Sequence, residues 1–165
     1  MILSMLYSFG MTSPKRPARI GFLLAQLGAH AAELFAEQTR ELGITPSEAG
    51  VIRIVAFNSG ISQRELAEKL GAVQSRVVAL IDRLESAGLV SRTRSTTDRR
   101  LQQLELTEAG RSMLGGLRRA AEKQEAQLTT GLSADQKDSL FELLAAVSAA
   151  RGLDPDVHPG YRQAT

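Results

Sequence analysis

The run from Ser62 to Thr107 constrains this chain more than any other part of it. It reads SQRELAEKLG, then AVQSRVVALIDRLESAGLV, then SRTRSTTDRR, then LQQLELT. Ser62-Gln63-Arg64-Glu65 has the form of a capping box, in which a hydroxyl and a carboxylate each satisfy a backbone N–H at a helix start. The short helix it opens buries Leu66 and Leu70 and breaks at Gly71. A second helix begins near Val73 and carries Val77, Leu80, Ile81 and Leu84 as one apolar stripe at i, i+3, i+4 and i+7. Gly88 suits the position just past its end. Two strands follow, Leu89 to Ser95 and Leu101 to Leu106, joined by a turn at Thr96-Thr97-Asp98-Arg99. Leu101, Leu104 and Leu106 do not alternate cleanly, so the second strand rests partly on its context. The order helix, turn, helix, strand, loop, strand is that of a winged helix-turn-helix. Its second helix fits a DNA major groove, and its basic hairpin fits the adjacent backbone or minor groove.

The rest of the chain frames this unit with helices. Ile20 to Leu42 has helical periodicity through Leu23, Leu27 and Leu34, and Gly43 stops it. Thr45-Pro46-Ser47-Glu48 is a capping box with proline at the first helical position, opening a helix to about Phe57. Thr107 caps a long helix to about Thr130. Gly115-Gly116 interrupts it, as a site of close packing or mild kinking or, alternatively, as a hinge. Ser133-Ala134-Asp135-Gln136 opens a last helix to about Ala150, expected to bury Leu140, Leu143, Leu144 and Val147. The fold class is therefore mainly α with a small β-hairpin. Residues 1–19 read as a flexible segment and 20–150 as one domain. Within it, 45–107 form the head, and 20–43 and 108–150 form helices outside it. Residues 151–165, with two Pro and two Gly, read as a flexible tail. Apolar helices from both ends of a chain must bury their stripes, and the same helices of a second copy are the economical partner. MTSPKRPAR, starting at Met11, looks like a second possible beginning, beside Met1.

Composition narrows the function. A hydrophobic content of 43% supports a real core, and 4% aromatic residues with no Trp means it is built from Leu, Val, Ile and Ala. With no Cys and only His30 and His158, thiolate zinc sites, disulfides and a His-rich metal site are excluded or disfavoured, and no cofactor is expected. No apolar run reaches the roughly 18 residues of a membrane span. No phosphate-binding glycine loop or nucleophile–base motif points to an enzyme. The net charge of +2 says little. Between Arg92 and Arg100, however, stand four arginines and one aspartate. Such a run is ordinarily a solvated loop. Between two strands that follow a helix-turn-helix, it suits phosphate contact.

The candidate DNA residues follow from these placements. Gln74, Ser75 and Arg76 begin the second motif helix and are expected to read base edges. Val78 and Ala79 share that face and suit a thymine methyl or a close approach. Ser62, Gln63 and Arg64 stand where the first motif helix crosses the backbone, Ser62 chiefly as a cap. Arg99 and Arg100 are wing candidates, and Arg92 and Arg94 are weaker phosphate candidates. Asp82 is expected to pair with an arginine. His30, among apolar residues, reads as a core or interface histidine, or as a polar group of a ligand pocket.

SQRELAEKLG, QSRVVALIDRLESAGLV, DRR at Asp98–Arg100 and LTEAGR at Leu106–Arg111 together resemble the MarR family of bacterial transcription regulators, over roughly Ile20 to Ala150. The resemblance implies a cytoplasmic homodimer with interleaved terminal helices. Its two heads would enter successive major grooves of a pseudo-palindromic operator. It also implies repression relieved by a small effector, often phenolic or anionic, bound between head and dimer helices. In the family pattern the aspartate matching Asp98 holds the arginine matching Arg100 toward DNA. This chain departs at Arg76, where the family often has Thr, and at Ala79, where it often has a polar residue or Arg. The competing reading is a winged-helix module that binds protein instead of DNA.

Overall fold

The computed structural model describes residues 19–94, 102–154 and 157. Among these, six helices and three strands follow in the order α1 (Ile20–Glu41), α2 (Pro46–Phe57), β1 (Ile61–Ser62), α3 (Gln63–Leu70), α4 (Gln74–Ser86), β2 (Val90–Arg94), β3 (Gln102–Leu106), α5 (Glu108–Leu128) and α6 (Ala134–Ala150). The three capping boxes form as read. Thr45, Ser62 and Ser133 each accept the N3 backbone N–H and receive the N3 side chain in return. Gly88, at φ 70°, ends α4: its N–H donates to Glu85 O and that of Leu89 donates to Leu84 O. This paired closure needs a left-handed residue, which glycine adopts without strain.

The sheet has the order β1-β3-β2, all antiparallel. The strand β1 was not anticipated. Two residues carry no periodicity, and only its pairing, Ile61 with Leu104 and Ser62 with Gln103, makes it a strand. In β3 the inward residues are Leu104 and Leu106, so alternation holds once the strand begins at Gln102.

The core lies within the head. Val51, Ile52, Leu66, Leu70, Val77, Ile81, Leu84, Val90 and Leu104 are essentially inaccessible. The helix α5 rises from β3 and is fastened at its base. The Thr107 hydroxyl accepts Gly110 N–H at 3.0 Å and donates to Gly88 O at 2.6 Å, while Arg111 donates to Leu106 O at 2.8 Å. Gly110 sits so close to the Leu89 carbonyl that a side chain there would be driven into it. Of the two mid-helix glycines, Gly116 is closed in by Leu42, whereas a side chain at Gly115 would meet only the end of Arg119 at ordinary contact distance, so close packing accounts for only the second.

Two expectations are corrected. The helix α6 buries none of its residues within this chain. Leu140, Leu143, Leu144 and Val147 are 39–68% exposed, because no apolar face among the described residues covers them. Val157, placed by the sequence in a loose tail, is buried with the core residues.

Candidate nucleic-acid interface

The candidate recognition element is α4. Its inner stripe of Val77, Leu80, Ile81 and Leu84 is fixed in the core, which dictates what the other face presents. Gln74, Ser75 and Ala79 are exposed, and Arg76 and Val78 are half-buried. The helix starts at Val73, whose side chain supplies no cap, whereas α2, α3, α5 and α6 all start on a hydroxyl. The first N–H groups of α4 thus stay open to solvent or to a phosphate oxygen, and the helix dipole favours the latter.

The helix α3 lies before α4 and turns into it at Gly71. Ser62 Oγ accepts Glu65 N–H at 3.2 Å, so its hydroxyl serves the cap. Gln63 is half-buried at the first turn. Arg64 is exposed and pairs with Glu68 at 2.9 Å, an i, i+4 surface pair that a phosphate can replace at small cost.

Three ion pairs hold the rear half of α4. Arg83 Nε meets Glu48 Oε1 at 2.9 Å. The other carboxylate oxygen, Oε2, accepts Thr45 N–H at 2.7 Å and the Thr45 hydroxyl at 2.8 Å. Burial alone would raise the Glu48 pKa; the Thr45 hydrogen bonds and Arg83 outweigh it and hold it below the usual carboxylate range. On the other flank, Arg92 of β2 pairs with both Asp82 and Glu85. Asp82 therefore has the arginine partner expected of it, and that partner is itself one of the phosphate candidates. Arg94, two residues further along β2, is exposed.

The structure brings Gln74, Ser75, Arg76, Val78 and Ala79 onto one helix face, with Arg64 and Arg94 on flanking elements. Asp98, Arg99 and Arg100 lie outside the described residues. His30 is not a core residue of the single chain: it is exposed, as are all residues from Gly21 to His30. What the sequence reading missed is the tie of Arg83 to Glu48 and the second contact of Arg92, to Glu85. Glu48 was legible only as a capping residue, and nothing in its spacing announces Arg83 as its partner.

This geometry, a hydrophobically anchored helix presented beside a β-hairpin, defines a winged-helix DNA-binding protein. A sequence profile of the MarR family matches residues 42–101. The chain is 32% identical over 126 residues to a proposed transcriptional regulatory protein for the hcr operon of Thauera aromatica, covering 76% of each chain. Its fold is similar to that of the transcriptional repressor CouR bound to a 23-mer DNA duplex, with a TM-score of 0.68 and 34% identity over 79% of this chain and 92% of that one. It is also similar to a mutant MarR from E. coli complexed with operator DNA, with a TM-score of 0.65 and 26% identity over 77% of this chain and 91% of that one. The chain belongs to the MarR family of DNA-binding transcriptional regulators, which are not enzymes.

Proposed function

We propose that this regulator is a cytoplasmic homodimer that represses transcription from a pseudo-palindromic operator and is released by a small effector. One observation carries the dimer: the terminal helices expose a broad apolar surface, while in the head only Phe57 and Val73 are exposed among the described large apolar residues. Phe22, Leu23 and Leu27 on α1 and Phe141, Leu143, Leu144 and Val147 on α6 are each 43–73% exposed. Soluble monomers rarely leave such a surface uncovered. Isologous packing of α1 and α6 against a second copy would cover it and set two heads apart, each facing one major groove. The repressor assignment follows CouR, at 34% identity. A phenolic or anionic effector, with His30 as a candidate contact, rests on family resemblance.

Within each half-site, Gln74, Ser75 and Arg76 read base edges, with Arg76 the guanine reader. Val78 and Ala79 allow the helix to approach. Arg64 and Arg94 meet phosphates, joined by Arg99 and Arg100 of the wing.

The test is a salt series of fluorescence anisotropy on the purified protein, with DNA from upstream of its own gene and a scrambled control. Sedimentation runs alongside. The expected result is a dimer that binds the first duplex selectively, with affinity falling steeply with salt. A monomer, or weak and equal binding to both duplexes and to duplexes selected from random DNA, would overturn the proposal.

A further inference from the structure

Arg92 and Arg94 belong to one short strand and lie two residues apart, so they point to the same face of the sheet. Their surroundings differ. In register, Arg92 is opposite Leu104, whose side chain is wholly buried, and Arg94 is opposite Gln102 at the exposed end of the ladder. The Arg92 side chain is only 16% exposed. A side chain covered to that degree has fewer waters to serve its guanidinium, so counter-charges suit it. It has two. Nη2 donates to Asp82 Oδ1 and Nη1 donates to Glu85 Oε2. These carboxylates stand at i and i+3 on α4, on neighbouring turns of one helix flank. The planar guanidinium thus spans a helical turn with its two terminal nitrogens. A single contact would leave β2 free to pivot about it; two contacts along the helix axis do not.

The charge balance matters equally. Two carboxylates and one guanidinium sum to −1, so this cluster repels phosphate. Arg94, beyond the end of the cluster, has no carboxylate partner among the described residues.

We propose that Arg92 is a positioning residue that fixes the wing against the recognition helix, and that it does not itself contact DNA. By locking β2 to the rear of α4, it sets the offset between the helix in the major groove and the hairpin on the neighbouring backbone. This deepens the DNA-docking reading above and withdraws Arg92 from the phosphate candidates. Asp82 and Glu85 become part of the specificity apparatus without touching a base.

The test compares Arg92→Gln, Arg92→Lys, Arg94→Gln and an Asp82→Asn/Glu85→Gln double variant, all as full chains. The first readout is amide hydrogen exchange without DNA. Arg92→Gln and the double variant should each raise exchange in β2 and β3 about fivefold, with the amides of Val51–Val55 in α2 unchanged. Arg92→Lys should fall between, since an ammonium is a point charge. The second readout is the anisotropy salt series, on the upstream duplex and its scrambled control. Arg92→Gln should lose about tenfold in selectivity with an unchanged salt slope, whereas Arg94→Gln should lower the slope by about 1. Unaltered exchange in β2 and β3, or a slope for Arg92→Gln that falls like that of Arg94→Gln, would overturn the proposal. Absence of selectivity in the wild type would instead strike the operator reading, and the DNA-free exchange would still decide the role of Arg92.

Discussion

The head and the terminal helices solve the same problem differently. Between Thr45 and Leu106, nearly every apolar side chain of α2, α3, α4 and the sheet turns inward, and the head closes over its own core. In α6 and the first half of α1 the apolar residues are as regular but remain outside, while Phe35 further along α1 packs against the core. The difference is one of partners. Elements joined by short turns pack against each other within one chain. The helices α1 and α6 come from opposite ends of the sequence and leave much of their apolar surface uncovered. A head with its own core and arms with uncovered apolar faces fit the proposed dimer.

The comparison breaks most sharply at Leu66. It is wholly buried in α3, so Leu66→Ala should cost about 2–5 kcal/mol through lost burial and a residual cavity. Urea denaturation should show this cost independently of protein concentration. In the arms, Leu143→Glu should leave the head's far-ultraviolet spectrum intact. It should convert the dimer to monomer by sedimentation and weaken operator binding by on the order of a hundredfold, because the second half-site is no longer tethered. If Leu143→Glu stays dimeric, the exposed face of α6 is not the contact.

How much of this was legible follows the same divide. The caps Thr45, Ser62, Thr107 and Ser133 and the stops at Gly71 and Gly88 were readable because each satisfies local backbone groups with local residues. The periodicity of α4 was enough to assign its inner and outer faces. The strand β1 was not readable, since its existence lies in the partner Leu104. An arginine partner for Asp82 was expected, but neither its identity as Arg92 nor the ties of Arg92 to Glu85 and of Arg83 to Glu48 were readable, because a charge pair between elements leaves no periodic trace. The burial of Leu140, Leu143, Leu144 and Val147 was read from a pattern that gives amphipathicity but not the identity of the covering surface.

The seam between head and arms gives a smaller effect. Gly110 lies against the Leu89 carbonyl, where no side chain fits. Gly110→Ala should destabilise the chain by about 1–3 kcal/mol, as overpacking against backbone does. Thermal denaturation of the dimer measures it. A neutral result would mean that the start of α5 shifts freely against the end of α4, and that head and arm are less firmly joined than Thr107 and Arg111 imply.

The smallest effect tests what fixes α4 inside the head. Glu48 accepts three hydrogen bonds from Thr45 and Arg83, and its folded-state pKa lies below its unfolded one. A depressed carboxylate stabilises the fold above its unfolded pKa, near 4.3, and loses that contribution as pH falls through the folded value. Glu48→Gln should therefore cost about 1 kcal/mol at neutral pH, in the range of a lost cap and ion pair. The wild type and the variant should converge in urea midpoint as pH drops below about 4. Arg83→Gln should reproduce part of the loss, since Thr45 remains. A gap between wild type and Glu48→Gln that persists unchanged into acid would mean that the side chain contributes shape and hydrogen bonding, and that its charge does not hold the recognition helix in place.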